Sequence, residues 1–284
     1  MRLRRVTGLA RRLRASGAEL LDALYPPVCW LCRAARSVDG FGCAAHALLS
    51  CAYDPAQPRC SGCALALPEG IETGLCACCR RRPRGYGRVL AFGPYRRGSA
   101  LREWILAFKH GGRRELARPL GAVLARELSA AGEWRDALLV PVPLHPLRRL
   151  ERGYDQAALL SVELAEASGL DVAPVLRRRR WTPPQGAAGA RSRAANVHEA
   201  FEVAERHKRV LARRVVLLVD DVVTSGATVA ACAAALRAAR PSEVSVVALA
   251  RAPLDSNADP EGEAERSAAT LTGSAAAAGG EPST

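Results

Sequence analysis

Aliphatic side chains fill positions 215–219 without a break, the pattern of a strand covered on both faces. The run ends on two adjacent acids, Asp220 and Asp221. The small residues Thr224, Ser225, Gly226, Ala227 and Thr228 follow, and an alanine-rich helix is expected from about residue 227 to 239. Residues 244–250, VSVVALA, read as a second buried strand. Upstream, a short strand is expected at 88–93, followed by two helical stretches separated by KHGGR at 109–113. DALLVPVPLHP, residues 136–146, reads as a buried strand stopped by prolines, and DQAALLSVELAEASG, residues 155–169, as a helix with a glycine stop. Residues 174–200, with RRRR and TPPQGAAGARSRAANV, lose the hydrophobic period and read as a basic, mobile flap. Strands alternating with helices predict an α/β fold, a mostly parallel sheet with helices on both faces. Ligands of such sheets bind beyond the carboxyl ends of the strands, where the two acids fall.

The amino-terminal part carries a different pattern. Residues 1–24 predict a basic amphipathic helix, ended by Pro26 and Pro27. No segment reaches the ~18 to 20 apolar residues of a membrane span, and no continuous apolar core precedes residue 20, so neither a span nor a secretory signal is expected. The expected location is the cytoplasm. Nine of the ten cysteines lie between 29 and 79, as the pairs Cys29–Cys32, Cys43–His46, Cys60–Cys63 and Cys76–Cys79, with Cys51 and Cys78 left over. Two ligands separated by two residues can share one tetrahedral zinc, and two such knuckles complete its shell. Four knuckles therefore predict two structural zinc sites. The grouping is Cys29, Cys32, Cys43 and His46, then Cys60, Cys63, Cys76 and Cys79; the spacing alone also allows crossed pairs, and Cys78 competes with Cys79. A disulfide framework would need an oxidising compartment, which the amino terminus does not indicate. Residues 25–86 hold few long apolar runs, so metal is expected to supply much of this module's folding energy. Cys232, on the small-residue side of a helix, is expected in the core.

Charge changes the picture further. The formal net charge is +13, yet residues 255–284 carry six acids against one arginine, so the body is more basic than the total. Such a body suits polyanions. Aromatic residues make up 5%, few for platforms on which bases stack. The tail, residues 254–284, is rich in Ala, Ser, Gly, Glu and Pro and is expected to be disordered.

Fold alone does not require two carboxylates at the end of a buried strand. Thr224 to Thr228, opening a helix, offer successive backbone N–H groups, hydroxyls and the positive helix end, a cup for a phosphate. No Gly-Lys-Ser/Thr follows, so it is not a P-loop. Acids beside such a cup suit a sugar phosphate, with hydroxyls on the carboxylates and phosphate in the cup.

VVLLVDDVVTSGAT resembles the phosphoribosyl-pyrophosphate signature of type I phosphoribosyltransferases. With the cysteine module, the chain resembles the ComF family, competence-associated proteins that join a zinc ribbon to this fold. The resemblance spans about residues 25–251. It includes PVPLHPLRRLERGYDQA, where Arg148, Arg152, Gly153 and Gln156 match, and the 182–197 segment, where Thr182, Gln185, Arg193 and Asn196 match. Tyr154, Asp155, Ala188 and His46 depart from the family's usual Phe, Asn, Leu and Cys. The resemblance implies a double zinc ribbon at 25–86 and a type I phosphoribosyltransferase-like domain at 87–253. It implies a 5′-phosphate on Thr224, Ser225, Gly226, Ala227 and Thr228, and ribose hydroxyls on Asp220 and Asp221. It further implies pyrophosphate with magnesium against Pro143, Leu144 and His145, and leaving-group charge met by Arg148, Arg152 and Arg193. Asp220, Asp221 and Arg193 are the expected catalytic set; His145, between prolines, is expected to be structural.

Two functional classes follow. One is transfer of a phosphoribosyl group from its pyrophosphate donor to an acceptor the sequence does not name. The other is handling of single-stranded DNA together with DNA-uptake proteins, with ligand bound and little catalysis.

Overall fold

The computed structural model describes residues 28–34, 36–81, 84–144, 146–178 and 200–253. The expected amino-terminal helix, His145, most of the basic flap with Arg193, and the acidic tail lie outside them.

Five parallel strands form the central sheet: β1 (Val89–Pro94), β2 (Leu138–Pro141), β3 (Asp171–Val172), β6 (Val215–Val223) and β7 (Glu243–Arg251), in the spatial order β1-β7-β6-β2-β3. The central strands are apolar on both faces because both faces are covered. Leu217 and Val219 of β6 join one core with Trp104, Phe108, Leu120 and Leu160, whereas Val216 and Leu218 join the other with Val229, Cys232 and Leu236. The first core is closed by α2 (Ala100–His110), α3 (Ala117–Ala131) and α5 (Gln156–Ser168), the second by α6 (Lys208–Leu211) and α7 (Ala227–Arg237). Burial pushes the Cys232 thiol well above its ordinary pKa, as suits an inert core side chain.

Local chemistry sets the helix ends. Ser99 caps α2 by accepting from the Arg102 N–H, Asp155 caps α5 by accepting from the Ala158 N–H, and Gly132 and Gly169 end α3 and α5 in the left-handed conformation.

Part of the expected flap is regular structure. β4 (Leu176–Arg178), inside the expected flap, pairs antiparallel with β5 (Phe201–Val203), just beyond its end, as a two-stranded ribbon. Leu176 and Phe201 are buried beside α7, and the Arg178 guanidinium lies over the Phe201 ring. Three-residue strands carry too short an alternation to be seen in the sequence.

Residues 51–61, which join the two cysteine clusters, pack along the open side of β1, and α1 (Ala77–Arg81) follows them in the chain. The Tyr53 N–H donates to the Phe92 carbonyl and the Val89 N–H to the Ser61 carbonyl. Gly93 permits this approach, since a Cβ there would stand 2.2 Å from the Cys51 carbonyl oxygen. Leu48 is fully buried in the first core. Asp39 organises the loop before it, accepting from the N–H groups of Phe41, Gly42 and Leu49. Burial pushes this carboxyl up, but the backbone donors outweigh burial and hold it below its ordinary pKa. Among the described residues, no helix is long and apolar enough to cross a membrane.

Candidate functional site

β2 and β6 are neighbours, yet the chain leaves β2 for β3 on one side and β6 for β7 on the other. Their carboxyl ends therefore bound the crevice in which open α/β sheets take their ligands. β2 stops at Pro141, opposite Val219, while β6 continues to Val223 because β7 goes on pairing with it. This corrects the expected strand end at Val219: both acids lie within β6.

Successive side chains of a strand point to opposite faces, and the two aspartates separate accordingly. Asp221 is buried on the α2 side, its Oδ1 3.0 Å from the Nζ of Lys109, itself buried at the end of α2. Asp220 lines a small cavity with Val222, Val223, Thr224, Gly226, Thr228 and Val229. Gly226, at φ +81°, turns the chain into α7, and Ser225 Oγ accepts from the Ala227 N–H. One cavity thus brings together a carboxylate, hydroxyl-bearing side chains and the first turn of an 11-residue helix. Such a site can hold an anion on amides and neighbouring hydroxyls on the acid.

On the β2 side, Val142 donates to the Val219 carbonyl, and Pro143 and Leu144 follow. The Leu144 N–H donates to Asp155, which also caps α5. The departure from the family pattern at Asp155 is therefore a clamp between the β2 loop and a helix start. Tyr154 donates its hydroxyl to the Phe108 carbonyl, and Gln156 Nε2 donates to the Lys109 carbonyl at 3.2 Å. RGYDQ thus holds the end of α2 and, with it, the lysine paired to Asp221. Arg148 and Arg152 stand half-buried on α4 (Pro146–Arg152), immediately after the loop.

The cysteine module forms two clusters, each with its ligand atoms within 4.8 Å of one another: Cys29, Cys32, Cys43 and His46, and Cys60, Cys63, Cys76 and Cys79. The grouping is sequential rather than crossed. Cys32–Cys43 and Cys63–Cys76 sulfur separations are 3.9 and 3.8 Å, close to the roughly 3.8 Å edge of a tetrahedron with zinc–sulfur bonds of about 2.3 Å, and far beyond a disulfide. In the first cluster, His46 Nδ1 faces the Cys29 and Cys43 sulfurs while Nε2 lies 3.3 Å from Glu103. A carboxylate on the far nitrogen keeps Nδ1 available for metal. Cys51 instead donates to the Ala47 carbonyl, and Cys78 is exposed beside the second cluster.

Lys109, Glu103, Arg84 and Arg251 were missed in the sequence. KHGGR was visible as a helix stop, but nothing local pairs its lysine with an acid more than a hundred residues away. Arg251 did leave a signal, a charged residue ending an apolar strand.

A parallel sheet with this cup at its switch point, preceded by a double zinc ribbon, defines a type I phosphoribosyltransferase-like fold. A phosphoribosyl transferase domain model matches residues 157–271. The chain is 36% identical over 115 residues to "Competence protein F" of Haemophilus influenzae, covering 40% of this chain and half of that protein. It is 30% identical over 211 residues to "DNA utilization protein YhgH" of Salmonella typhi, covering 72% of this chain and 88% of the relative, and 29% identical over the same length to its Escherichia coli K12 namesake. The chain belongs to the ComF family.

Proposed function

We propose that this protein binds phosphoribosyl pyrophosphate in the crevice between β2 and β6. The observation that supports this reading most is that Asp220, Thr224, Gly226 and Thr228 line one cavity at the start of α7. The 5′-phosphate takes the amides and hydroxyls of residues 224–228, and Asp220 accepts from ribose hydroxyls. Asp221 contributes through its buried ion pair with Lys109, which fixes the end of β6 against α2. Pro143, Leu144 and His145 form the pyrophosphate loop, and Arg148, Arg152 and Arg193 offset the leaving charge. Magnesium, carried in by the pyrophosphate oxygens, would share that charge. In transfer, pyrophosphate departs with the electron pair of its bond to the anomeric carbon, and an acceptor's lone pair replaces it; Asp220 stabilises the cationic sugar between. Calorimetric titration with phosphoribosyl pyrophosphate and Mg²⁺ tests the reading; saturable one-site binding is expected, and its absence refutes it. A pyrophosphate-release assay on the same samples separates binding from transfer.

A second reading, that the protein handles single-stranded DNA with uptake proteins, is favoured by a relative named for DNA utilization and by the +13 charge. Binding of single strands should then weaken steeply with salt as counterions return. Binding indifferent to salt, or none at low salt, removes it.

A further inference from the structure

Two guanidinium groups join the second cysteine cluster to the cup. Arg84 donates from Nε to the Cys79 sulfur at 3.3 Å and from Nη1 to the Ser225 carbonyl at 2.9 Å. Arg251, buried at the end of β7, donates from Nε to the Cys63 carbonyl at 2.8 Å and from Nη1 to the carbonyls of Val223 and Thr224. Three successive carbonyls, those of Val223, Thr224 and Ser225, are thereby held toward the ribbon. In a trans peptide the following N–H points the opposite way, so this grip turns the N–H groups of Thr224, Ser225 and Gly226 away from the ribbon. Gly226 leaves no slack in the contact, since a Cβ there would meet Tyr86 Oη at 2.7 Å and Arg84 Nη1 at 3.0 Å.

The charges favour the same arrangement. Four thiolates around one zinc ion leave a cluster anionic, and N–H donors to the sulfurs are the usual way such a site is tuned and oriented. Metal holds the four sulfurs at one point, so its loss frees Cys79 to move and weakens the hold on Arg84.

We propose that the Cys60–Cys63–Cys76–Cys79 site positions the cup, with Arg84 as the positioning residue, so that zinc occupancy and anion binding are linked. The ligand arm of this proposal rests on the phosphoribosyl reading of the cup; the ordering of the loop rests on the contacts alone. Arg84→Lys keeps a positive charge beside the thiolates but loses the fork that reaches Cys79 and Ser225 together, and Arg84→Gln removes the charge as well. In full-length, zinc-loaded protein, with metal content measured, amide hydrogen exchange at Ala230, whose N–H donates to the Gly226 carbonyl of the cup, should be at least ~tenfold faster in Arg84→Lys than in the wild type, and faster again in Arg84→Gln, with β7 unchanged. Linkage is reciprocal, so saturating Mg²⁺–phosphoribosyl pyrophosphate should slow zinc transfer to a chromophoric chelator several-fold in the wild type and not in Arg84→Gln. Zinc-replete Arg84→Lys with wild-type exchange in the cup overturns the proposal. A cup that loosens in both variants while donor binds by calorimetry yet leaves wild-type zinc release unchanged refutes the linkage; a donor that does not bind refutes the phosphoribosyl reading and leaves the positioning role standing.

Discussion

Asp220 and Asp221 are adjacent in sequence and have opposite surroundings, so their substitutions should separate. Asp221→Asn breaks a buried ion pair with Lys109; removing one partner of such a pair costs about 3 kcal/mol. Asp220→Asn, in the cavity wall, should leave stability within about 0.5 kcal/mol and weaken donor binding by roughly tenfold, the loss of one charge-assisted hydrogen bond. Denaturant unfolding and ligand titration on both variants check this; equal loss of stability in the two would contradict the assignment. That both acids need partners or water was legible from their chemistry, since an unpaired carboxylate is costly to bury. Their separation was not, because the strand was expected to stop before them and the alternation of faces was not carried past Val219. Asp39 is a third case. Three backbone donors converge on it, so Asp39→Ala should destabilise the first ribbon by about 2 kcal/mol, read as faster metal loss to a chelator at neutral pH. Because its folded pKa is depressed, the carboxylate's contribution is present above the ordinary value near ~4 and is lost as pH falls through the lower folded value.

β6, Gly226 and α7 form a strand, a left-handed hinge residue and a helix, and the hinge carries the geometry of the cup. Gly226→Ala should cost about 1–2 kcal/mol for the left-handed conformation alone, and its methyl would also press on Tyr86 and Arg84. Thermal melting should show the loss, and donor affinity in the folded fraction should fall with it; unchanged affinity would mean that the hinge does not shape the site. Strands and helices of the central domain were readable because long apolar runs, Asp155 and the glycine stops each agree with the fold. The β4–β5 ribbon was not. Its strands are three residues each and are joined through a polar segment, and what makes them strands is burial against α7, a tertiary effect.

The two cysteine clusters brace different sides of the same crevice. The first rests on α2 through His46, Glu103 and Trp104, whose Nε1 donates to the His46 carbonyl, and α2 ends in the lysine paired with Asp221. The second reaches the cup through Arg84 and Arg251. Reduced, unchelated protein should therefore carry two zinc ions per chain by elemental analysis; a value near zero would defeat the reading. The spacing of the knuckles made these sites legible, whereas the contacts that tie them to the crevice join residues far apart in sequence and left no local signature. The cover on β1 carries a further consequence. A sheet edge is a template for any strand that meets it, and here the residues that occupy that edge, Tyr53 and Ser61, lie between and within the two cysteine clusters. Metal-starved protein should therefore fail by self-association before it fails by unfolding. Light scattering during gradual chelation should rise with protein concentration while the far-ultraviolet dichroism of the sheet persists, and a charged residue introduced on the outer side of β1 should suppress the rise.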